Sequence, residues 1–127
     1  MRSIVVLSAL ALTLAASAAA SGTTSLRIRV WPEGQGGRLT TWTLRCDPVG
    51  GTHPRAARAC RVLASLENPF APVPPTMACT QIYGGPQVAI VTGVFRGRRV
   101  WARFKRSDGC QIARWERVGA LLGAAGG

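Results

Sequence analysis

The stretch "VAIVTGVFRGRRVWARFKR" (residues 88–106) holds two runs of strand-forming residues joined at Arg96-Gly97-Arg98. In the second run Val100, Ala102 and Phe104 point one way, and Trp101, Arg103 and Lys105 point the other. Alternation with period two marks a strand that buries one face. The Arg-Gly-Arg link suits a tight turn, so the two runs are expected to form antiparallel neighbours in a sheet.

The same period recurs upstream. In "TSLRIRVW" (24–31), Leu26, Ile28 and Val30 oppose Arg27 and Arg29. In "RLTTWTLRC" (38–46), Trp42 and Leu44 oppose Leu39, Thr41, Thr43 and Arg45. The turn-rich "PEGQGG" between them predicts a second hairpin.

Two other segments break the period. "GGTHPRAARACRVLASLENP" (50–69) predicts a helix, with Thr52 or His53 as cap, Pro54 at the first helical position and Asn68-Pro69 as the stop. Ala56, Ala57, Cys60, Leu63 and Ala64 are expected on its apolar face, and Arg55, Arg58 and Arg61 on a solvated one. "PFAPVPPT" (69–76) carries prolines at 69, 72, 74 and 75 and predicts a stiff, exposed approach without regular structure. After Cys110, "CQIARWERVGALLG" offers Ile112, Trp115, Val118 and Leu121 to a core as either a short helix or an edge strand. The fold class that follows is α+β: an antiparallel sheet with helix packed on one face.

Residues 1–20 read as a secretory signal. Arg2 gives the positive start, "IVVLSALALTLAA" the apolar run, and Ala18-Ala19-Ala20 the small residues before cleavage. The run falls short of a membrane span. Residues 21–127 are then expected as one secreted, extracellular domain, free of the membrane once the signal is removed. Without Arg2, fifteen basic residues stand against five acidic ones, a net charge of +10 on the mature chain. Such a charge favours anionic surfaces without naming one.

Cys46, Cys60, Cys79 and Cys110 all lie in the mature part, as suits an oxidising compartment. Their gaps of 14, 19 and 31 residues contain no C-x-x-C pair, and His53 is the sole histidine, so no metal site is expected. Three disulfide connectivities are open. Cys46–Cys60 with Cys79–Cys110 is favoured because each bond then closes one contiguous unit.

No side-chain set suits catalysis. There is no Gly-x-Ser-x-Gly, no glycine-rich phosphate loop, and Glu33, Asp47, Glu67, Asp108 and Glu116 are scattered. The chain is read as a binding protein, not an enzyme, with no cofactor. In "MACTQIYGGPQV" (77–88), Thr80 and Ile82 are β-branched and favour extended backbone, Gln81 points opposite to both, and Gly84-Gly85-Pro86 turns the chain away. A crosslinked, exposed, extended segment is what a protease cleft accepts.

The chain resembles the Streptomyces subtilisin inhibitor family. The likeness rests on "TLRC", "GTHPRAARAC", "MACTQIY" and "GVFRGRRV" and on the order and spacing of the four cysteines. It implies a secreted inhibitor of subtilisin-like serine proteases. It also implies a five-stranded antiparallel sheet with two short helices packed on it as a two-layer sandwich, and a homodimer. The reactive bond of the family lies two residues past the third cysteine, which here is Gln81–Ile82. Met77, Ala78, Cys79, Thr80 and Tyr83 are then the flanking protease contacts. Thr80 stands where the family usually has proline. "GGPQV" is one residue longer than the founding pattern, and the end beyond Gln111 lacks the founders' aromatic close. An alternative of another class is a secreted basic module binding anionic polymer or nucleic acid through "FRGRRVWARFKR", where arginines alternate with Phe95, Trp101 and Phe104.

Overall fold

A computed structural model describes residues 22–123; the expected signal segment 1–20 lies outside them. Four strands form one antiparallel sheet: β1 (Thr24–Trp31), β2 (Thr40–Cys46), β3 (Val88–Phe95) and β4 (Arg98–Lys105), in the order β2-β1-β3-β4. The hairpin at Arg96-Gly97 works because both residues take positive φ, 50° and 79°, which matches the twist of the strands it joins. Register carries the alternation across the sheet. Trp42, Ile28, Val91 and Ala102 align in one row, and Val30, Ala89 and Phe104 in the next.

Three helices cover the face those rows create: α1 (Ala56–Ser65), α2 (Gly109–Arg117) and the single turn α3 (Gly119–Leu122). Ala59, Leu63, Trp115, Val118, Leu121 and Leu122 meet Ile28, Leu44, Val91 and Phe104 in one core. Each large side chain buried there contributes about 1.5–3 kcal/mol. The result is a two-layer α+β sandwich. Among the described residues no helix is long and apolar enough to cross a membrane.

Several expectations are corrected. The sheet has four strands instead of five, because the proline-rich chain between α1 and β3 joins no ladder and the segment after Cys110 is helical. Asp108 decides the latter: its carboxylate accepts the Gln111 N–H at 2.9 Å and caps α2. Ile112 is only half-buried, while Trp115, Val118 and Leu121 enter the core. The apolar face of α1 is centred on Ala59 and Leu63, flanked by half-buried Ala56 and Cys60; Ala57 and Ala64 are exposed. Neither Thr52 nor His53 is the cap residue, a place taken by Arg55. Thr52 instead exchanges hydrogen bonds with Thr43, each backbone N–H donating to the other's hydroxyl. His53 is buried and bridges two segments. Its Nδ1 accepts the Arg55 N–H at 3.0 Å, which leaves Nε2–H to donate to the Leu121 carbonyl at 2.8 Å. The proline-rich stretch is not exposed throughout. Pro69 is buried, and Phe70 packs edge-on against Phe95 and Phe104.

Candidate functional site

Beyond Phe70 the chain leaves the body. The Met77 N–H donates to the Pro74 carbonyl at 3.1 Å, a turn that delivers the chain to Ala78. From Met77 to Tyr83 no regular structure forms, and Met77, Ile82 and Tyr83 stand 53 %, 61 % and 69 % exposed. Gln81 is exposed too, its amide donating weakly to the Cys79 carbonyl at 3.4 Å. Among the described residues, the main-chain groups of Gln81, Ile82 and Tyr83 hydrogen-bond to no other segment. They remain open to an incoming edge.

Both flanks of Gln81–Ile82 are tied to one place, the corner where β4 passes into α2. On the N-terminal flank, Cys79 is disulfide-bonded to Cys110, and the Gly109 N–H donates to the Thr80 carbonyl at 2.9 Å. Glycine at 109 leaves room for this approach, since a Cβ there would overlap the Thr80 hydroxyl as it stands. On the C-terminal flank, the Gly84 N–H donates to the Arg106 carbonyl at 2.8 Å, and Arg106 Nε donates back to the Gly84 carbonyl at 3.2 Å. The bare backbone of Gly84 lies against Ile112, which a Cβ would strike. Arg106 is itself held by Glu116 on α2 at 2.7 Å.

A second arginine grips the same region from below. Arg114, buried on α2, has no carboxylate partner among the described residues. Its guanidinium donates to the carbonyls of Ala71 (2.8 Å), Arg103 (2.6 Å) and Phe70 (3.3 Å) and stacks over Phe104 at 4.0 Å. Burial, and secondarily the like charge of Arg117, lower its pKa from the usual arginine value.

The other disulfide, Cys46–Cys60, fastens the end of β2 to α1. Cys79, Asp108 and Cys110 bring donor atoms together, but both sulfurs are spent in a disulfide and the Asp108 carboxylate caps α2, so the trio is no ligand set. The residues named from sequence, Met77 to Tyr83, thus form one continuous segment that is exposed except at the half-buried Cys79. Sequence reading saw in Gly84 only a turn and in Ile112 only a core residue, and it missed Arg106, Gly109 and Arg114; all five hold that segment. Only Gly109 carried a local sign, a glycine squeezed between a helix cap and a cysteine.

Comparison with known proteins gives a consistent picture. A family model described as subtilisin inhibitor-like matches residues 7–107. The chain is 36 % identical over 75 residues to "Subtilisin inhibitor-like protein 1" of Streptomyces cacaoi, covering 55 % of this chain and 67 % of that protein. It is 38 % identical over 74 residues to "Subtilisin inhibitor-like protein 5" of Streptomyces fradiae, covering 56 % and 66 %. These alignments reach about two thirds of each relative's length. Among solved structures, Streptomyces caespitosus sermetstatin, crystallised in complex with Bacillus licheniformis subtilisin, superimposes with a TM-score of 0.54 and 25 % identity. That match spans 81 % of this chain and 100 % of the other.

Proposed function

The chain belongs to the subtilisin inhibitor-like family, and from that membership we propose that it is a secreted, extracellular inhibitor of subtilisin-type serine proteases that presents Gln81–Ile82 as its reactive bond. The observation that carries the reading is the double tether: an exposed peptide bond whose two flanks are fastened to one rigid corner.

The mechanism needs no catalytic group of the inhibitor's own. Residues 77–83 lie along the protease cleft as an extended chain, with Gln81 in the specificity pocket. Because the segment is already held, little ordering entropy is lost on binding. When the protease serine attacks the Gln81 carbonyl, the acyl half stays fixed through Cys79–Cys110 and the Gly109–Thr80 hydrogen bond. The Ile82 amine stays near through Gly84 and Arg106. Its effective molarity is high, so religation outruns hydrolysis and the complex persists. Gln81 is uncharged and of middle size. It suits a broad pocket but offers no cation to an acidic pocket and no ring to an aromatic one.

The test is a titration of the mature protein against subtilisin and trypsin, followed by long incubation with catalytic subtilisin at mildly acidic pH. Stoichiometric inhibition of subtilisin and a nicked form with a new N-terminus at Ile82 are expected. Nicking at another bond would reject the assignment.

A second copy of the chain is proposed as a further partner. By register Arg27, Arg29, Arg45, Arg99, Arg103, Lys105 and the 66 % exposed Trp101 share the outer sheet face. An isologous dimer across that face brings like charges together, so its association should strengthen as salt screens them. Sedimentation from low to high salt decides; a monomer at every ionic strength rejects the dimer. Polyanion binding, the rival role, has the opposite salt dependence.

A further inference from the structure

Arg114 is a charged side chain, buried without a counter-charge among the described residues, and three of its five N–H groups donate to main-chain carbonyls. A surface arginine is simply hydrated; this one has been desolvated, which is unfavourable unless its hydrogen bonds are made. The three carbonyls come from two separate stretches. Phe70 and Ala71 begin the limb that leads to Met77, and Arg103 lies on β4. Arg114 also stands four residues after Cys110 on α2, so both side chains project from the same side of the helix. One helix therefore holds the limb at its root through Arg114 and at its tip through Cys110–Cys79. Between those two points the limb and α2 face a common groove. An open groove of about 570 Å³, bounded by Pro72, Met77, Thr80, Ala113 and Arg117, separates them.

From this arrangement we propose that Arg114 is a positioning residue for the reactive segment. Its contact with the Arg103 carbonyl locks α2, which carries the acyl-side tether, to β4. The end of β4 leads into Arg106, which carries the amine-side tether. Its contacts with Phe70 and Ala71 fix where the limb starts. Without it, each half of the cut bond keeps its own tether, but the two tethers and the root of the limb lose their fixed spacing. Lysine is a poor substitute, since an ammonium lacks the planar fork that serves several carbonyls at once and stacks on Phe104.

The inference rests on the reading of Gln81–Ile82 as the reactive bond, and the experiment separates the two. Arg114→Met and Arg114→Lys are incubated with catalytic subtilisin to equilibrium, well below their Tm, and the ratio of nicked to intact inhibitor is measured. Loss of one net hydrogen bond's worth of positioning shifts that ratio toward the nicked form by about tenfold in Arg114→Met, and by less in Arg114→Lys. A role in overall stability alone lowers Tm and leaves the ratio unchanged, and that result overturns the proposal. Should Arg114→Met fail to fold, Arg114→Lys decides by the same ratio, with no shift counting against. Amide hydrogen exchange supplies a readout that needs no protease. The Ala71 and Met77 amides should exchange about tenfold faster in the variant, while those of Val91 and Leu63 keep their rates. If the parent protein is never nicked at Gln81–Ile82, the functional reading fails, and the exchange rates still judge Arg114.

Discussion

The two halves of this molecule are built from matching parts and put them to different use. Each half has one disulfide and one arginine that gathers main-chain carbonyls. At the α1 end the disulfide is Cys46–Cys60, and Arg96, from the β3–β4 turn, donates to the carbonyls of Leu63, Leu66 and Glu67. At the α2 end the disulfide is Cys79–Cys110, and Arg114 donates to Phe70, Ala71 and Arg103. The first pair reinforces a strand and a helix that already have their own hydrogen bonds. Arg96 donates to carbonyls at and just past the C-terminus of α1, one of which, that of Leu63, also takes the Leu66 N–H, and a cation there is favoured by the helix dipole. The second pair holds chain that has no ladder of its own. Either crosslink adds stability by restricting the unfolded chain; the one on irregular chain also defines a conformation. Both crosslinks are therefore expected to contribute to folding free energy, and only the one in the α2 half to govern binding.

Removing the two disulfides in turn is the strongest way to break this contrast. Cys79→Ser with Cys110→Ser frees about two residues beside the reactive bond. Ordering them again on binding costs about 2–4 kcal/mol, a loss of roughly 30- to 1,000-fold in affinity for subtilisin. Cys46→Ser with Cys60→Ser lowers stability by about 3 kcal/mol in the chain-entropy model, while the distant binding site loses no more than about twofold. Paired measurements of inhibition constant and denaturant midpoint for both variants check this. Equal losses of inhibition would end the division of labour.

Within the α2 half, the reactive residue sharpens the same contrast. Gln81→Asp forces a carboxylate to shed its water in a pocket that gives it no partner, which costs about 3 kcal/mol or more and so about 150-fold in subtilisin inhibition. Gln81 is exposed and its side chain meets only the Cys79 carbonyl, so Tm should hardly move. Gln81→Lys should add inhibition of trypsin, because the ammonium reaches that enzyme's acidic pocket. Parent-like inhibition in both variants would place the reactive bond elsewhere.

The parts of the molecule that were legible in sequence are those whose physics is local. Strand alternation depends only on which residue follows which, so the hairpin of residues 88–106 and the inward set Leu26, Ile28 and Val30 could be read directly. The exposed segment after Cys79 was legible because β-branching, glycine and proline act on their own backbone. The phase of α1 was missed because alanine dominates it. With Ala56, Ala57, Ala59 and Ala64 all small and apolar, only the tertiary contact selects Ala59 for burial. The clamps were illegible for a related reason. Arg96, Arg106 and Arg114 are three among fifteen arginines, and nothing nearby marks them as carbonyl ligands rather than solvated charge. His53 was hidden likewise, since its two partners, Arg55 and Leu121, are two and sixty-eight residues away.

The smallest expected effect concerns Arg96. It sits at the exposed tip of the hairpin, lies over Phe95 at 4.5 Å, and makes its three carbonyl contacts at 3.0–3.1 Å, on the side of the sheet's helical layer remote from the β4–α2 corner. Arg96→Ala removes all of them but leaves those carbonyls near water, which satisfies them in part. The loss is therefore about 1–2 kcal/mol, at the low end for hydrogen bonds from a charged group. Arg96 also takes positive φ, which a Cβ tolerates poorly, so Arg96→Gly relieves local strain while removing the same contacts. The glycine variant should consequently be the more stable of the two, although both lack the clamp. Neither should alter inhibition of subtilisin, because the tethers of Gln81–Ile82 do not pass through the hairpin. Thermal melts of the two variants, set beside their inhibition constants, check both points. A drop in inhibition from either one would mean that the α1 half also shapes the reactive segment.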